Sequence, residues 1–137
     1  MLFRSKEAFV EAVEAALALR DTAKAEALIA EIDALDPVQR TPVYQAQAAR
    51  LRSRLRAQRG EEGVEQGFKL AAAIFRELPM PYWIGVTLAE HGEWLAAQGQ
   101  GEEAEPLLAE AREIFERLGA RPWLERLEAA APEPARA

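Results

Sequence analysis

With 137 residues, a formal net charge of −6, no cysteine, 50% hydrophobic and 29% charged residues, this sequence has room for one compact domain or one short helical array. The lack of cysteine excludes disulfide frameworks, thiolate metal sites and thiol nucleophiles, and a reducing, cytoplasmic setting is the expectation. One histidine, two serines (Ser5 and Ser53), three threonines, three aspartates and no asparagine leave little material for side-chain catalysis and no acceptor for N-glycosylation.

Alanine makes up about a fifth of the chain, and with leucine, glutamate and arginine it supplies the side chains that lose least freedom in a helix, so an all-α protein is expected. The start, Met1 to Lys6, is charged too early for a secretory signal, and the longest uncharged stretch, Leu78 to Ala89, is too short and too proline-broken to span a bilayer. The expectation is a protein with no membrane segment.

Turn signals divide the chain into seven segments. The first, about Ser5 to Leu19, places Phe9, Ala12, Val13, Ala16 and Leu17 on one stripe with Glu7, Glu11 and Glu14 opposite, which predicts an amphipathic helix. The second, about Thr22 to Leu35, turns Ala25, Leu28, Ile29 and Ile32 inward and stops before Pro37, which disfavours helical geometry at Asp36. Thr41 as N-cap and Pro42 as first helical residue open a third helix to about Arg59 along Tyr44, Ala48, Leu51 and Leu55, and Gly60 ends it. The fourth, about Glu61 to Leu78, carries Val64, Phe68, Ala71, Phe75 and Leu78, with Gly63 and Gly67 as weak points near its start. The fifth, about Tyr82 to Gln98, has the seam Ile84, Leu88, His91 and Leu95. The sixth, about Glu102 to Leu118, turns Ala104, Leu108, Ala111, Phe115 and Leu118 inward, and a short seventh surrounds Trp123, Leu124 and Leu127.

An internal repeat is the strongest signal. Val64, Phe68, Ala71, Phe75, Leu78 and Trp83 recur 40 residues later as Ala104, Leu108, Ala111, Phe115, Leu118 and Trp123. Helical periodicity alone would align apolar positions, so the aromatic pairs Phe75 with Phe115 and Trp83 with Trp123 carry most of the weight. One hairpin cannot bury its apolar face alone, which predicts stacked hairpins with the last short helix as a cover.

These features resemble the tetratricopeptide (TPR) repeat family. Gly92 and Gly99 stand at the family's small first-helix position and turn glycine, followed by Ala104, Leu108 and Ala111, and the first repeat matches through Ala25, Ile29 and Pro37. The chain departs from the pattern at Ile32, at Arg20 where the turn glycine would stand, and at Arg52 in the middle repeat. The runs Leu88–Leu95 and Glu110–Leu124 are also similar to the C-terminal helical repeats of large bacterial signalling ATPases, which often carry adenylate-cyclase or transcription-regulator modules. The resemblance implies a right-handed α-α superhelix of three TPR-like hairpins, about 5–36, 41–78 and 82–119, and a capping helix at 121–128. These form a single domain over residues 1–128, with a frayed tail at 129–137. It also implies a non-enzymatic module that binds a protein or peptide in a signalling or regulatory system. One alternative is an intramolecular arm of a larger ATPase, cyclase or transcription regulator, which would place further residues upstream of Met1.

The family's groove is lined by the first helix of each hairpin, which by resemblance presents Glu11, Glu14, Arg50, Ser53, Arg56, Glu90 and Glu93 to a partner. The family's grip on C-terminal carboxylates uses Asn and Lys, and a chain without Asn is not expected to have it.

Other motifs favour packing over chemistry. The series Gly60, Gly63, Gly67, Lys69 lacks the Gly-Lys-Ser/Thr triplet of a phosphate loop, so no nucleotide cofactor is expected. His91 beside Glu90 and Glu93 would be the core of an alternative small-molecule or metal-binding regulator, but it shares the stripe of Ile84, Leu88 and Leu95 while both glutamates point away, so no metal site is expected. Between Val38 and Gly60 stand six arginines and no acid. They form either a basic patch for an acidic partner or counter-charges sandwiched between acidic first helices, one carrying Glu7, Glu11 and Glu14 and the other Glu90 and Glu93, and the second reading is favoured. A nucleic-acid partner is disfavoured by the net charge and by the lack of interleaved aromatics. The tryptophans are expected to wedge helices together, with Trp94 the candidate exposed anchor.

Overall fold

The computed structural model describes residues 5–130, and these form seven α-helices and no strand. The helices are α1 (Lys6–Ala18), α2 (Thr22–Asp33), α3 (Pro42–Arg59), α4 (Val64–Glu77), α5 (Pro81–Ala97), α6 (Gly101–Leu118) and α7 (Arg121–Ala130). The chain divides into two compact units, one running to Met80 and one beginning at Pro81. Helix α7 extends two residues past the expected cap, and the rest of the expected tail, 131–137, lies outside the described residues, as do residues 1–4. No described helix is long and apolar enough to cross a membrane.

In the first unit α1 pairs with α2, α3 packs on both, and α4 pairs with α3. Ser5 caps α1 by accepting from the Ala8 amide, Asp21 caps α2 through the Lys24 amide, and Thr41 with Pro42 opens α3. Phe9, Val13, Ala16 and Leu17 of α1, Ala25, Ile29 and Ile32 of α2, and Leu51 and Leu55 of α3 form the core, with Tyr44 half-buried edge-on to Phe9 at 6.0 Å between ring centres. Ala12 and Leu28, expected inside, are half-buried at the margins of their stripes.

The helix ends share one device. At Gly60, Gly99 and Gly119 the chain enters the left-handed region, and the amide of the next residue returns to the carbonyl five residues before it: Glu61 to Arg56, Gln100 to Leu95, Ala120 to Phe115, each at 2.9 Å. The α1–α2 turn makes the same closure, Asp21 to Ala16 at 2.9 Å, with Arg20 at φ 57° in the glycine's place. The backbone at Arg20 thus takes the left-handed conformation that glycine takes at the other three turns. A side chain with a Cβ pays a steric cost in this region.

Gly67 is a contact site and not a weak point of α4. A Cβ there would collide with Ser53 Oγ and come within 3.1 Å of the Ala49 carbonyl oxygen, so glycine lets α4 lie directly on α3. Ser53, fully buried, donates to the Val64 carbonyl at 2.8 Å, which gives its hydroxyl a partner in the first turn of α4.

In the second unit α5 and α6 form a hairpin and α7 packs on α6. Phe115, fully buried, sits at its centre: Trp123 of α7 stacks on it at 5.3 Å, Tyr82 meets it edge-on at 6.1 Å, and the Trp123 indole N–H donates to the Tyr82 hydroxyl at 3.1 Å. Repeat-related positions share their environment at Val64 and Ala104, Ala71 and Ala111, and Phe75 and Phe115, all buried. Leu118 breaks the expectation of an inward stripe and is 48% exposed, because it is the last residue of α6, beyond the packed seam.

Three substitutions test this backbone reading by chemical denaturation. Arg20→Gly is expected to stabilise by roughly 0.5–1 kcal/mol through relief of the left-handed strain. Gly67→Ala is expected to destabilise by about 1–3 kcal/mol, while Gly101→Ala, with open space around the new methyl, stays within about 0.5 kcal/mol of the parent or gains stability.

Candidate functional site

The arginine row of α3 lies largely within ion pairs of its own unit. Arg50 has no exposed surface; its Nε donates to Gln47 Oε1 at 3.0 Å and its Nη2 to Glu14 Oε2 at 3.4 Å. Arg54 takes the other Glu14 oxygen at 2.9 Å, Arg52 pairs with Asp33 at 2.7 Å, and Arg59 clasps both oxygens of Glu26 at 3.1 and 3.5 Å. The hydrogen bond to Glu26 raises the Arg59 pKa further above its already high value, opposed by desolvation and assisted by the charges of Glu26 and Glu61. Of the three acids of α1 that the sequence suggested, Glu14 takes this part while Glu7 and Glu11 are exposed, and Glu93 of the second suggested set is held by Arg126 instead; Glu26 and Asp33 come from α2, whose acids no periodicity argument singled out. A cleft of about 310 Å³ along α2 and α3 is lined by Arg52, Arg56 and Arg59 with Glu26, Asp33 and Glu61, three charges of each sign.

The residues assigned to a partner-binding groove therefore part company. Arg50 and Ser53 are fully buried and offer nothing to a ligand in this conformation, Glu90 is 7% exposed, and Glu14 is held by two guanidinium groups. Burial in the helix seams, which the family pattern does not reveal for a long charged side chain, is the reason. Glu11 is exposed, Arg56 is half-buried in the cleft along α2 and α3, and Glu93 lies in the second unit.

His91 is 4% exposed, its ring centre 6.4 Å from that of Trp94, and the Glu93 carboxylate is engaged by Arg126 through two hydrogen bonds, 2.9 and 2.6 Å. Among the described residues there is no group of three histidines, cysteines or acids arranged to hold a metal. Trp94, expected as an exposed anchor, is half-buried.

A cavity with a mostly apolar lining belongs to the second unit, and no sequence motif marks it. A cleft of about 380 Å³ opens between α5, α6 and α7, lined by Ala96, Leu108, Ala109, Leu127 and Ala130 together with Glu93, Glu105 and Arg112. Arg126 fixes its α5–α7 side: it bridges to Glu93 while its guanidinium lies 4.3 Å from the centre of the Trp123 ring. Three short side chains, Ala96, Ala109 and Ala130, keep the cleft open to another backbone. Only the offset of 40 residues hinted at it, since that offset makes α7 the counterpart of α5.

No protein-family model matches this chain, and neither a curated protein nor a solved structure does.

The ion pairs of the first unit rank by burial. Glu14→Ala, which takes an acceptor from the fully buried Arg50, is expected to cost about 1–3 kcal/mol in thermal or urea unfolding. Glu26→Ala removes a largely exposed partner and is expected to cost less than about 0.5 kcal/mol.

Proposed function

We propose that this chain is a non-enzymatic protein-interaction module: a right-handed array of three TPR-like hairpins with a capping helix, which holds a protein or peptide segment within a cytoplasmic signalling or regulatory system. The cleft between α5, α6 and α7 carries the reading, because it joins five apolar side chains to three charged ones on a packed helical scaffold. That mixture suits a peptide or helix, whose apolar side chains bury while its polar ones meet the charges. The first unit supports the reading from the other side. Its conspicuous basic helix is committed to internal pairs, so the docking surface is assigned to the second unit, with Glu93 the one residue of the sequence-derived groove that lines it.

The test is affinity capture with the immobilised full chain beside an Ala109→Trp variant, whose indole would fill the cleft from an exposed position on α6. A partner held by the parent and lost by the variant, with helicity unchanged by circular dichroism, is the expected result. Equal capture by both would remove the cleft from the interaction.

A further inference from the structure

Of the six arginines between Val38 and Gly60, Arg50, Arg52, Arg54 and Arg59 are held by acids of α1 and α2. Arg40, in the loop before α3, is not. Its backbone is fixed from both sides, the amide donating to the Asp36 carbonyl at 3.0 Å and the carbonyl accepting from Gln45 Nε2 at 2.9 Å. The residue is half-buried, and its guanidinium has no hydrogen-bond or ion-pair partner among the described residues; Asp36, the nearest acid in sequence, makes no ion pair with it.

Arg40 lines a cleft of about 410 Å³ in the first unit, formed by the end of α2, the α2–α3 loop, α3 and α4. All four contribute apolar lining: Ile32, Pro37, Ala48 with Ala49, and Leu70 with Ile74. Leu70 is 55% exposed, off the buried stripe of α4, and Val38, which follows Pro37, is 91% exposed, so the rim of the cleft is apolar and open to solvent. The charges of the lining do not balance. Asp33 is its one acid among the described residues, and Arg52 holds that carboxylate at 2.7 Å, which leaves Arg40 a cation without a counter-charge.

An apolar cleft with one uncompensated guanidinium suits a ligand that joins an apolar group to a carboxylate. We infer that this cleft is a second docking surface, independent of the one between α5, α6 and α7, and that its occupant is an acidic and apolar segment of a partner protein. An apolar side chain of the segment seats on Ala48 and Ala49 between Ile32 and Leu70, and a neighbouring carboxylate meets Arg40. A basic segment would set like charges against each other there. A second copy of this chain is a poor match, because each molecule carries −6, whereas the twelve acidic and twelve basic residues up to Met80 cancel and leave this unit open to an acidic segment. The contact with Arg40 lies within reach of solvent, so it weakens with salt.

The test is methyl NMR of the full chain, isotope-labelled at isoleucine and leucine and titrated with three blocked heptapeptides in a Gly/Ser background. The first carries Leu and Glu two positions apart, which an extended chain turns to one face; the second has Gln for that Glu, and the third Ala for that Leu. The expected result is saturable shifts at the methyls of Ile32, Leu70 and Ile74 with the Leu/Glu peptide and at least fivefold weaker binding of the other two. Arg40→Gln is expected to abolish the preference for Glu over Gln, and Leu70→Gln the preference for Leu over Ala. Lys24→Gln, at an exposed site on α2, changes neither, and circular dichroism checks that all three variants keep the parent's helicity.

Equal binding of the Glu and Gln peptides, or a preference for Glu that survives Arg40→Gln, overturns the assignment of Arg40. Equal binding of the Leu and Ala peptides overturns the apolar seat. If no peptide shifts these methyls up to millimolar concentration, the cleft is not a docking surface. Shifts at the same methyls on concentrating the chain alone show a second copy as the occupant and overturn the partner segment.

Discussion

Helices α1, α2, α4 and α6 each have one apolar stripe beside a polar face, α3 and α5 are buried around most of their circumference, and helices of 10 to 18 residues are marginal alone in water, so every element depends on the seam it shares with a neighbour. Burying the stripe requires close approach of backbones, and the sequence supplies it with small residues at the contact points. Ala71 and Ala111 have no exposed surface, Gly67 lies directly on Ser53 and Ala49, and Gly85 lies under the Phe115 ring. Large side chains then lock the hairpins. Phe115 alone joins α5, α6 and α7 through its contacts with Tyr82 and Trp123.

Once the seams are set, charge is sorted by where each face ends up. In the first unit the arginines of α3 face the acids of α1 and α2, and the most deeply placed of them, Arg50, is accommodated because Gln47 and Glu14 accept its hydrogen bonds. The second unit has no such balance. Its surplus acids lie exposed along α6, where water solvates them.

The candidate site was less legible than the fold. Arg50, Ser53 and Glu90 were assigned to a groove because they sit on first helices, yet a helix wedged between others has no single outer face, and all three are buried. The acceptors Glu26 and Asp33 were missed because they lie on the polar side of α2, which periodicity reads as solvated; only the approach of α3 makes it an ion-pairing face. The cleft was missed because its apolar lining is of alanines and leucines from three helices, none of them chemically distinctive in sequence.

By itself the sequence determined the helices, their caps and turns, the pairing of neighbours and the 40-residue repeat, because these follow from local backbone preferences and from the spacing of apolar residues along one chain. Thr41 with Pro42, the glycines at positions 60, 99 and 119, and Phe75 with Phe115 all act where the sequence places them. Only the tertiary structure decided which charges are buried, that Arg20 adopts a glycine's conformation, that Gly67 is a contact, and where an open cleft remains. Those outcomes depend on distances between helices far apart in sequence, and a stripe of apolar residues fixes which face is covered but not what lies opposite it.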